Sequence, residues 1–202
     1  MIDLFSQLLD RALSERVSVV QGFNNNVLEK AIAYFKLERP APKLIVIAGS
    51  NGKGTCAHVL SQWLAISGYR VGMITSPHIF NYRERYSFNN EQLPISVWNE
   101  IYYLIISFTD YVSLTYFELI VLAGFLLARY NRVDVLISEV GLGGRFDATN
   151  VISHDIALLT TIDLEHTQIL GGTKEEILGE KIQVCRRGGY FITGVRGFDK
   201  SI

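Results

Sequence analysis

The sequence predicts an α/β fold: a parallel sheet flanked by helices, with a glycine-rich phosphate-binding loop (P-loop). Continuous Val-, Ile- and Leu-rich runs alternate with segments of helical periodicity, a pattern typical of parallel strands covered on both faces. One such run leads directly into GSNGKGT at residues 49–55, which is followed by a helical segment. With 49% hydrophobic and 19% charged residues, the 202-residue chain can bury a core, and we expect a single domain.

Each element follows from its local pattern. The N-terminal MIDLFSQLLDRALSE has the spacing of an amphipathic helix, and a Thr-x-x-Glu capping pattern at Thr173 and Glu176 opens the last one. The apolar run at residues 119–128 is about half the roughly 20 residues of a membrane-spanning helix, so a buried helix is expected. Residues 81–92 are polar without periodicity and predict a mobile loop. The predicted strands are 44–48, 71–75, 135–139, 156–161 and 190–193, and the other helices are 56–67, 96–107, 117–130 and 173–187.

Composition argues against several functional classes. Nineteen basic and twenty acidic side chains give a formal net charge of −1, so we expect neither a nucleic-acid nor a membrane partner. Cys56 and Cys185 are too few for a disulfide framework, and no Cys/His cluster predicts zinc. The N-terminus lacks the features of a signal peptide, so we expect a cytoplasmic protein.

The glycine-rich loop predicts a phosphate site, because glycines let the backbone approach an anion and the following helix N-terminus adds partial positive charge. Lys53 offers a charge for terminal phosphates, and the Thr55 hydroxyl can ligate magnesium. The spacing differs from the standard Walker pattern, and a glycine turn with an exposed lysine is the alternative. The loop residues are Gly49, Ser50, Asn51, Gly52, Lys53, Gly54 and Thr55.

Three further polar residues lie at or just after predicted strand ends: Ser76, Glu139 and His166. Ligands of parallel sheets bind at the carboxyl ends of the strands, so we expect these residues to converge with the loop on one rim. Alternatives remain for each. Ser76 can shape a turn before a proline, Glu139 can pair with Arg145 without a metal, and His166 can be a surface histidine.

Several motifs, in this order, resemble the N-terminal domain of folylpolyglutamate and dihydrofolate synthases, within the Mur-ligase superfamily. They are AGSNGKGT, TSPH, ERYSFNN, LTYFE, SEVGLGGRFDATN and a later His-x4-Gly-x-Thr segment with a Glu-Lys pair. The resemblance covers about residues 46–181. It implies a Mur-ligase central domain of P-loop NTPase type and an ATP-dependent amide ligase. Such a ligase adds L-glutamate to dihydropteroate or a folate through an acyl phosphate.

The resemblance also implies cofactors and residue roles. ATP and Mg²⁺ are expected, with residues 49–55 binding ATP. Thr55, Ser76, Glu139 and His166 would be metal ligands, and Lys181, if carbamylated, a ligand of a second metal. Lys53, His166 and Lys181 would be catalytic, and Arg83 and Arg85 would lie in a substrate loop.

Departures from the family pattern leave questions open. Ser50 replaces a threonine, Glu165 replaces an aspartate, and Ile182-Gln183-Val184 replaces Ala-Gly-Ile after Lys181. From composition alone, Lys181 would be an exposed helical lysine, and the two arginines would lie in a solvated loop. The pattern does not separate dihydrofolate synthase from folylpolyglutamate synthase.

Family members are about twice as long as this chain. We therefore expect an ATP-binding domain over residues 1–194, a linker remnant over 195–202, and an absent or separate C-terminal domain as a partner. The isolated chain is expected to ligate weakly or not at all. A non-enzymatic nucleotide-binding module, or an inactive remnant needing a partner domain, is the alternative.

Overall fold

The structure, a computed structural model, describes residues 1–14 and 25–196 and contains a seven-stranded sheet. The strands are β1 Lys43–Ala48, β2 Val71–Ile74, β3 Tyr86–Phe88, β4 Glu91–Gln92, β5 Val135–Glu139, β6 Ile156–Leu159 and β7 Tyr190–Thr193. The helices are α1 Leu4–Ser14, α2 Asn26–Phe35, α3 Lys53–Ile66, α4 Ile95–Ile106, α5 Tyr116–Tyr130, α6 Thr167–Leu170 and α7 Lys174–Lys181. Short 3₁₀ helices span Tyr82–Arg85, Thr109–Ser113, Ala148–Val151 and Ile182–Val184.

The strand order is β4-β3-β2-β5-β1-β6-β7, and the five strands from β2 to β7 in this order are parallel. This confirms the predicted α/β class. The antiparallel strands β3 and β4 extend one edge. The glycine-rich loop leaves the carboxyl end of β1, which lies between β5 and β6.

The prediction of a mobile loop at residues 81–92 is wrong, because the segment is a capped 3₁₀ helix followed by a hairpin. The side chains of Asn81 and Glu84 form a capping box at the start of the 3₁₀ helix. Asn89 and Asn90, with φ of 49° and 67°, form the turn between β3 and β4. A two-residue type I′ hairpin turn needs positive φ at both central residues, a conformation that asparagine tolerates better than most residues.

One face of the sheet is thickly covered. Helix α5 is buried from Glu118 to Ala128, as predicted for the apolar run, and α1, α2 and α4 complete this core. The capping box of Thr115 and Glu118 fixes the start of α5. No helix within the described residues is both long and apolar enough to cross a membrane.

Within the described residues α3 covers the other face, so the predicted sheet with helices on both faces is confirmed, although the two faces are covered unevenly. Only Ala57 and Ser61 of α3 are buried. All four residues of β7 are exposed, with Tyr190 and Ile192 at 74% and 55%. This edge of the sheet therefore presents apolar side chains to solvent.

Several boundaries differ from the predicted ones. Helix α3 begins at Lys53 instead of residue 56, so the end of the glycine loop is already its first turn. Helix α7 ends at Lys181, well before residue 187, although the Thr173 and Glu176 capping box is confirmed. Helices α2 and α6 were not predicted. Of the predicted linker remnant at 195–202, residues 197–202 lie outside the described residues.

Candidate nucleotide and metal site

The glycine-rich loop passes so close to its neighbours that side chains are excluded at one position. A Cβ on Gly49, where φ is 142°, would lie 2.0 Å from Thr160 Oγ1. Gly52 is the N-cap of α3, with φ of 80°, a left-handed conformation that glycine adopts readily. Because α3 begins at Lys53, the backbone amides of its first turn lie just beyond the carboxyl end of β1.

The segment after β6 holds this loop in place through hydroxyl groups. Thr160 Oγ1 donates to the Asn51 carbonyl at 2.7 Å, and Asn51 N donates to Thr161 Oγ1 at 3.0 Å. Ser50 Oγ accepts from Asp163 N at 2.9 Å and donates to Asp163 O at 3.1 Å. The serine at position 50 therefore supplies the hydroxyl that this packing uses.

Thr160, Thr161 and Asp163 belong to none of the motifs that predicted the site. The available signal was position: they directly follow a strand that pairs with β1, so they had to lie beside the loop.

The ammonium of Lys53 lies against the loop itself. Its Nζ donates to Gly49 O at 2.8 Å and to Ser50 O at 3.3 Å, and the side chain is half-buried. A cation in this place lies beside the amides that would surround an anion. The predicted alternative, a glycine turn with an exposed lysine, does not describe this geometry.

Glu139 ends β5 and is 4% exposed. Its Oε2 accepts from Ser76 N at 3.0 Å, and the Gly54 amide also interacts with the carboxylate. Burial raises the pKa of Glu139, while the Ser76 amide and the Lys53 charge oppose that rise. The structure thus brings Gly54, Ser76 and Glu139 together at the start of α3.

The alternative of a Glu139–Arg145 salt bridge is wrong. The Arg145 guanidinium instead lies over the Phe146 ring, 5.0 Å from its centroid. Glu139 is therefore a buried carboxylate satisfied mainly by backbone amides, and its oxygens are available to a cation.

Lys181 is among the most buried side chains of the described chain, at 1% exposure, so the expectation of an exposed helical lysine is wrong. Its Nζ lies 2.6 Å from Glu165 Oε1 and donates to Gly49 O at 3.1 Å. Burial lowers the pKa of Lys181, and the Glu165 carboxylate partly restores it. Composition could not show this burial, because it comes from packing α7 under the glycine loop.

His166 and Thr55 are exposed. His166 has φ of 44° and precedes α6, and within the described residues its imidazole has no hydrogen-bond partner. No three His, Cys, Asp or Glu side chains in the described ranges are grouped closely enough to hold a metal by themselves. A cation at Glu139 would therefore need hydroxyl, modified lysine or ligand oxygens as well.

The two arginines of the expected substrate loop are half-buried, which does not fit a solvated charged loop. Arg85 Nε donates to His78 Nδ1 at 2.8 Å, and its guanidinium lies 5.4 Å from the Tyr116 ring centroid. Arg83 lies in the 3₁₀ helix two residues earlier. Arg85 is thus engaged by protein side chains.

The GLGGRFDATN segment is organised by the buried carboxylate of Asp147, which was not among the predicted site residues. Asp147 accepts from the amides of Gly141 and Leu142 at 2.9 Å each, and from Thr149 Oγ1 at 2.6 Å. A Cβ on Gly141 would lie 2.7 Å from the Phe117 ring. An aspartate within a glycine-rich turn was the available signal, because such side chains often bond nearby backbone.

The chemistry available at this rim follows from its parts. Helix amides, Lys53 and a glycine backbone can hold a polyphosphate, and Glu139 can hold the cation that accompanies it.

Comparison with known proteins matches this arrangement. A model of the Mur ligase middle domain matches residues 47–193. A dihydrofolate synthase/folylpolyglutamate synthase of Escherichia coli (strain K12) is 40% identical over 184 residues, covering 91% of this chain and 41% of the relative. The structure of E. coli FolC in complex with DHPP and ADP has a TM-score of 0.81 at 36% identity, covering 91% of this chain and 46% of that chain.

A second solved structure is a bifunctional folylpolyglutamate synthase/dihydrofolate synthase with Mn, AMPPNP and L-glutamate bound. Its TM-score is 0.81 at 38% identity, covering 86% of this chain and 43% of that chain. This chain thus spans less than half the length of each of these relatives.

Proposed function

We propose, since the chain belongs to the Mur ligase family, that it binds ATP with Mg²⁺ as the nucleotide-binding part of an ATP-dependent amide ligase. One observation carries the proposal: the glycine loop with Lys53 and the buried Glu139 converge at the start of α3, joined by the amides of Gly54 and Ser76. The relatives' bound ADP, AMPPNP and Mn support the same ligand classes.

The proposed reaction brings a carboxylate and a phosphate together, so the site must above all neutralise their negative charges. A γ-phosphate moves to a substrate carboxylate, the amino group of L-glutamate attacks the acyl phosphate, and phosphate leaves. Magnesium, when bound, neutralises phosphate charge. Lys53 would exchange its two carbonyl acceptors for phosphate oxygens, a better match for an ammonium. Thr55, Ser76, Glu139 and His166 are the proposed metal ligands.

Lys181 is proposed as a second-metal ligand after carbamylation, with a catalytic role. Its burial favours the neutral amine that reacts with carbon dioxide, and its position beneath Gly49 brings it to the loop. The Glu165 partner holds the ammonium form and must separate from Nζ when the lysine is modified.

The proposed substrates are dihydropteroate or a (poly)glutamylated folate, together with L-glutamate. The names and bound molecules of the relatives support them. Arg83 is the proposed anion contact of the substrate loop, and Arg85 would have to leave His78 to join it. The second candidate is a nucleotide-binding module that needs a partner domain, which the exposed apolar strand β7 favours.

Magnesium-dependent phosphate release from ATP by the 202-residue chain tests the proposal. Dihydropteroate and glutamate would be present or omitted. Lys53→Ala should weaken ATP binding about tenfold or more, because a charge-assisted contact is lost. Lys30→Ala is the matched control, since it removes an exposed lysine of α2 whose ion-pair partner, Asp110, lies outside the glycine loop and its supports.

Release that needs both substrates and is lost only in Lys53→Ala would establish a working ligase. ATP binding without release would favour the partner-dependent module. If ATP binds equally well to the parent and to Lys53→Ala, the loop is not the nucleotide site.

A further inference from the structure

A second concave surface lies at the end of the sheet opposite the glycine loop, near the amino ends of β1, β2 and β5. It is a cavity of about 450 Å³ with an apolar floor from Pro40, Ala41 and Val133. Four arginines line it: Arg39, Arg70, Arg129 and Arg132. This arginine pocket is separated from the nucleotide rim by the length of the parallel strands.

Two of the four guanidinium groups are held in place by carboxylates. Arg39 Nη2 donates to both oxygens of Asp155 at 2.8 and 2.9 Å. Arg70 donates to Asp134 through Nε at 3.2 Å and Nη2 at 2.8 Å. The hydrogen bond from Arg70 lowers the pKa of Asp134 to about 2, so this carboxylate stays ionised. Each pair orients a guanidinium plane while leaving other N–H groups free of the carboxylate.

Neither of the other two arginines pairs with a carboxylate of the part of the chain that the structure describes. Arg129 donates through Nη1 to the Phe35 carbonyl, an uncharged acceptor. Arg132 forms neither a hydrogen bond nor an ion pair through its side chain with any described residue. Among the described residues, the four guanidinium groups of the lining thus pair with only two carboxylates, Asp155 and Asp134, and the other two groups have no ion pair.

The backbone holds Arg132 in an unusual conformation. Its φ is 50°, the left-handed region, just after α5 ends at Tyr130. Glycine or asparagine is usual there, because a Cβ is disfavoured. The α5 carboxyl terminus thereby carries Arg129 and Arg132, whose charges suit this end of the helix dipole.

We propose that the arginine pocket is a second anion site, which binds a small molecule carrying two or more phosphate or carboxylate groups. A guanidinium group can donate two parallel hydrogen bonds to a phosphate or to a carboxylate. Two guanidinium groups without an ion pair match a ligand with two anionic groups better than a ligand with one. The apolar floor accommodates the body of the ligand between them. The site is independent of ATP binding, because none of its residues touches the glycine loop.

Isothermal titration calorimetry of the whole chain at low ionic strength tests this, with inorganic pyrophosphate and citrate as separate probes. Arg132→Gln should weaken binding about tenfold, and Arg129→Gln/Arg132→Gln should weaken it further, because charge-assisted contacts are lost. Lys30→Gln removes the same charge from an exposed α2 side chain outside the lining and should change nothing. Added salt should weaken binding in the parent.

The two probes separate the ligand sources. A pyrophosphate-specific effect of Arg132→Gln supports a phosphate ligand, and a citrate-specific effect supports a polycarboxylate. Pyrophosphate can also bind at the glycine loop, and Lys53→Ala weakens that site, so this variant shows how much of the pyrophosphate binding belongs to the loop. Citrate binding should stay intact in Lys53→Ala. The proposal is overturned if Arg132→Gln binds both probes like the parent, or if Lys53→Ala abolishes all binding. Arg132 is exposed, and its side chain forms no hydrogen bond or ion pair with the described residues, so its single variant should fold.

Discussion

Helices α5 and α3 flank the same central strands on opposite faces, yet they are held very differently. Eleven of the fifteen residues of α5 are buried, whereas α3 buries only Ala57 and Ser61 among its fourteen. Along β1, Leu44 packs into the α5 core, while Ile45 and Ile47 pack toward α3. Stability is therefore concentrated on one face, and the helix that carries the glycine loop lies on the other.

The difference shows what positions the loop. A helix with two fully buried side chains and a few partly buried ones is fixed less firmly by packing than α5 is. Polar contacts hold the loop in place: Thr160 and Thr161 hold Asn51, and Lys181 reaches Gly49 from below. The well-packed core thus lies on the α5 face of the sheet. The glycine loop itself is held by hydrogen bonds.

The largest expected effect contrasts two aromatic residues, one on each helix. Phe125 of α5 is 0% exposed and Trp63 of α3 is 69% exposed. Phe125→Ala should cost about 3–5 kcal/mol of unfolding free energy, because it leaves a cavity in a close-packed core. Trp63→Ala should cost less than about 0.5 kcal/mol. Urea denaturation at pH 7 measures both.

Similar losses in the two variants would contradict the comparison, since they would show that α3 is held as firmly as α5. ATP titration of the folded proteins adds a second readout. Both variants should bind ATP like the parent, because neither side chain contacts the loop.

The next effect concerns His154, a buried imidazole between Asp155 and the 3₁₀ helix that ends at Val151. Burial first, and then the Arg186 charge, lower the pKa of His154 to about 4, against the raising influence of Asp155. The unfolded chain binds a proton below about pH 6.5 while the folded chain does not. Stability should thus be full above pH 6.5 and fall by about 3 kcal/mol as the pH drops to 4.

His154→Leu should remove that part of the pH dependence, and His166→Gln, which alters an exposed imidazole, should keep it. Urea denaturation of both at several pH values between 4 and 7 gives the comparison with the parent. A parallel fall in His154→Leu and the parent would show that another group titrates.

The sequence predicted the fold well where apolar runs were continuous. The strands Val135–Glu139 and Tyr190–Thr193 have the predicted bounds, and the 119–128 run is the buried centre of α5. It failed at residues 81–92, where an Asn-Asn turn and a capping box replace apolar periodicity. Short polar segments are specified by backbone geometry, which periodicity does not report.

At the candidate site, the order of motifs predicted which residues meet but not what they touch. The convergence of residues 49–55, Ser76 and Glu139 is in the structure, because parallel strands end on one rim. The Lys181–Glu165 pair and the support from Thr160 depend on how α7 and the β6 loop pack beneath the glycines. Such contacts join residues far apart in the chain, and no local pattern encodes them.

Among the buried groups, the smallest expected effect on stability comes from the Lys181–Glu165 pair. Burial lowers the pKa of Lys181, so its ammonium is less favourable in the folded chain than in the unfolded chain at neutral pH. Replacing both partners, as Lys181→Met/Glu165→Gln, removes the charge with its counterion and keeps the volume. We therefore expect the free energy of unfolding to stay within about 1 kcal/mol of the parent, or to rise.

Function should respond in the opposite way. Gly49 O loses its buried donor in the double variant, so the glycine loop loses one of the contacts that hold it, and ATP affinity should fall severalfold. Urea denaturation and ATP titration of the same preparation give both numbers. A stability loss as large as that of Phe125→Ala, with ATP binding unchanged, would make Lys181 part of the core. Unchanged stability with weakened ATP binding would show that the Lys181–Glu165 pair supports the glycine loop and does not stabilise the fold.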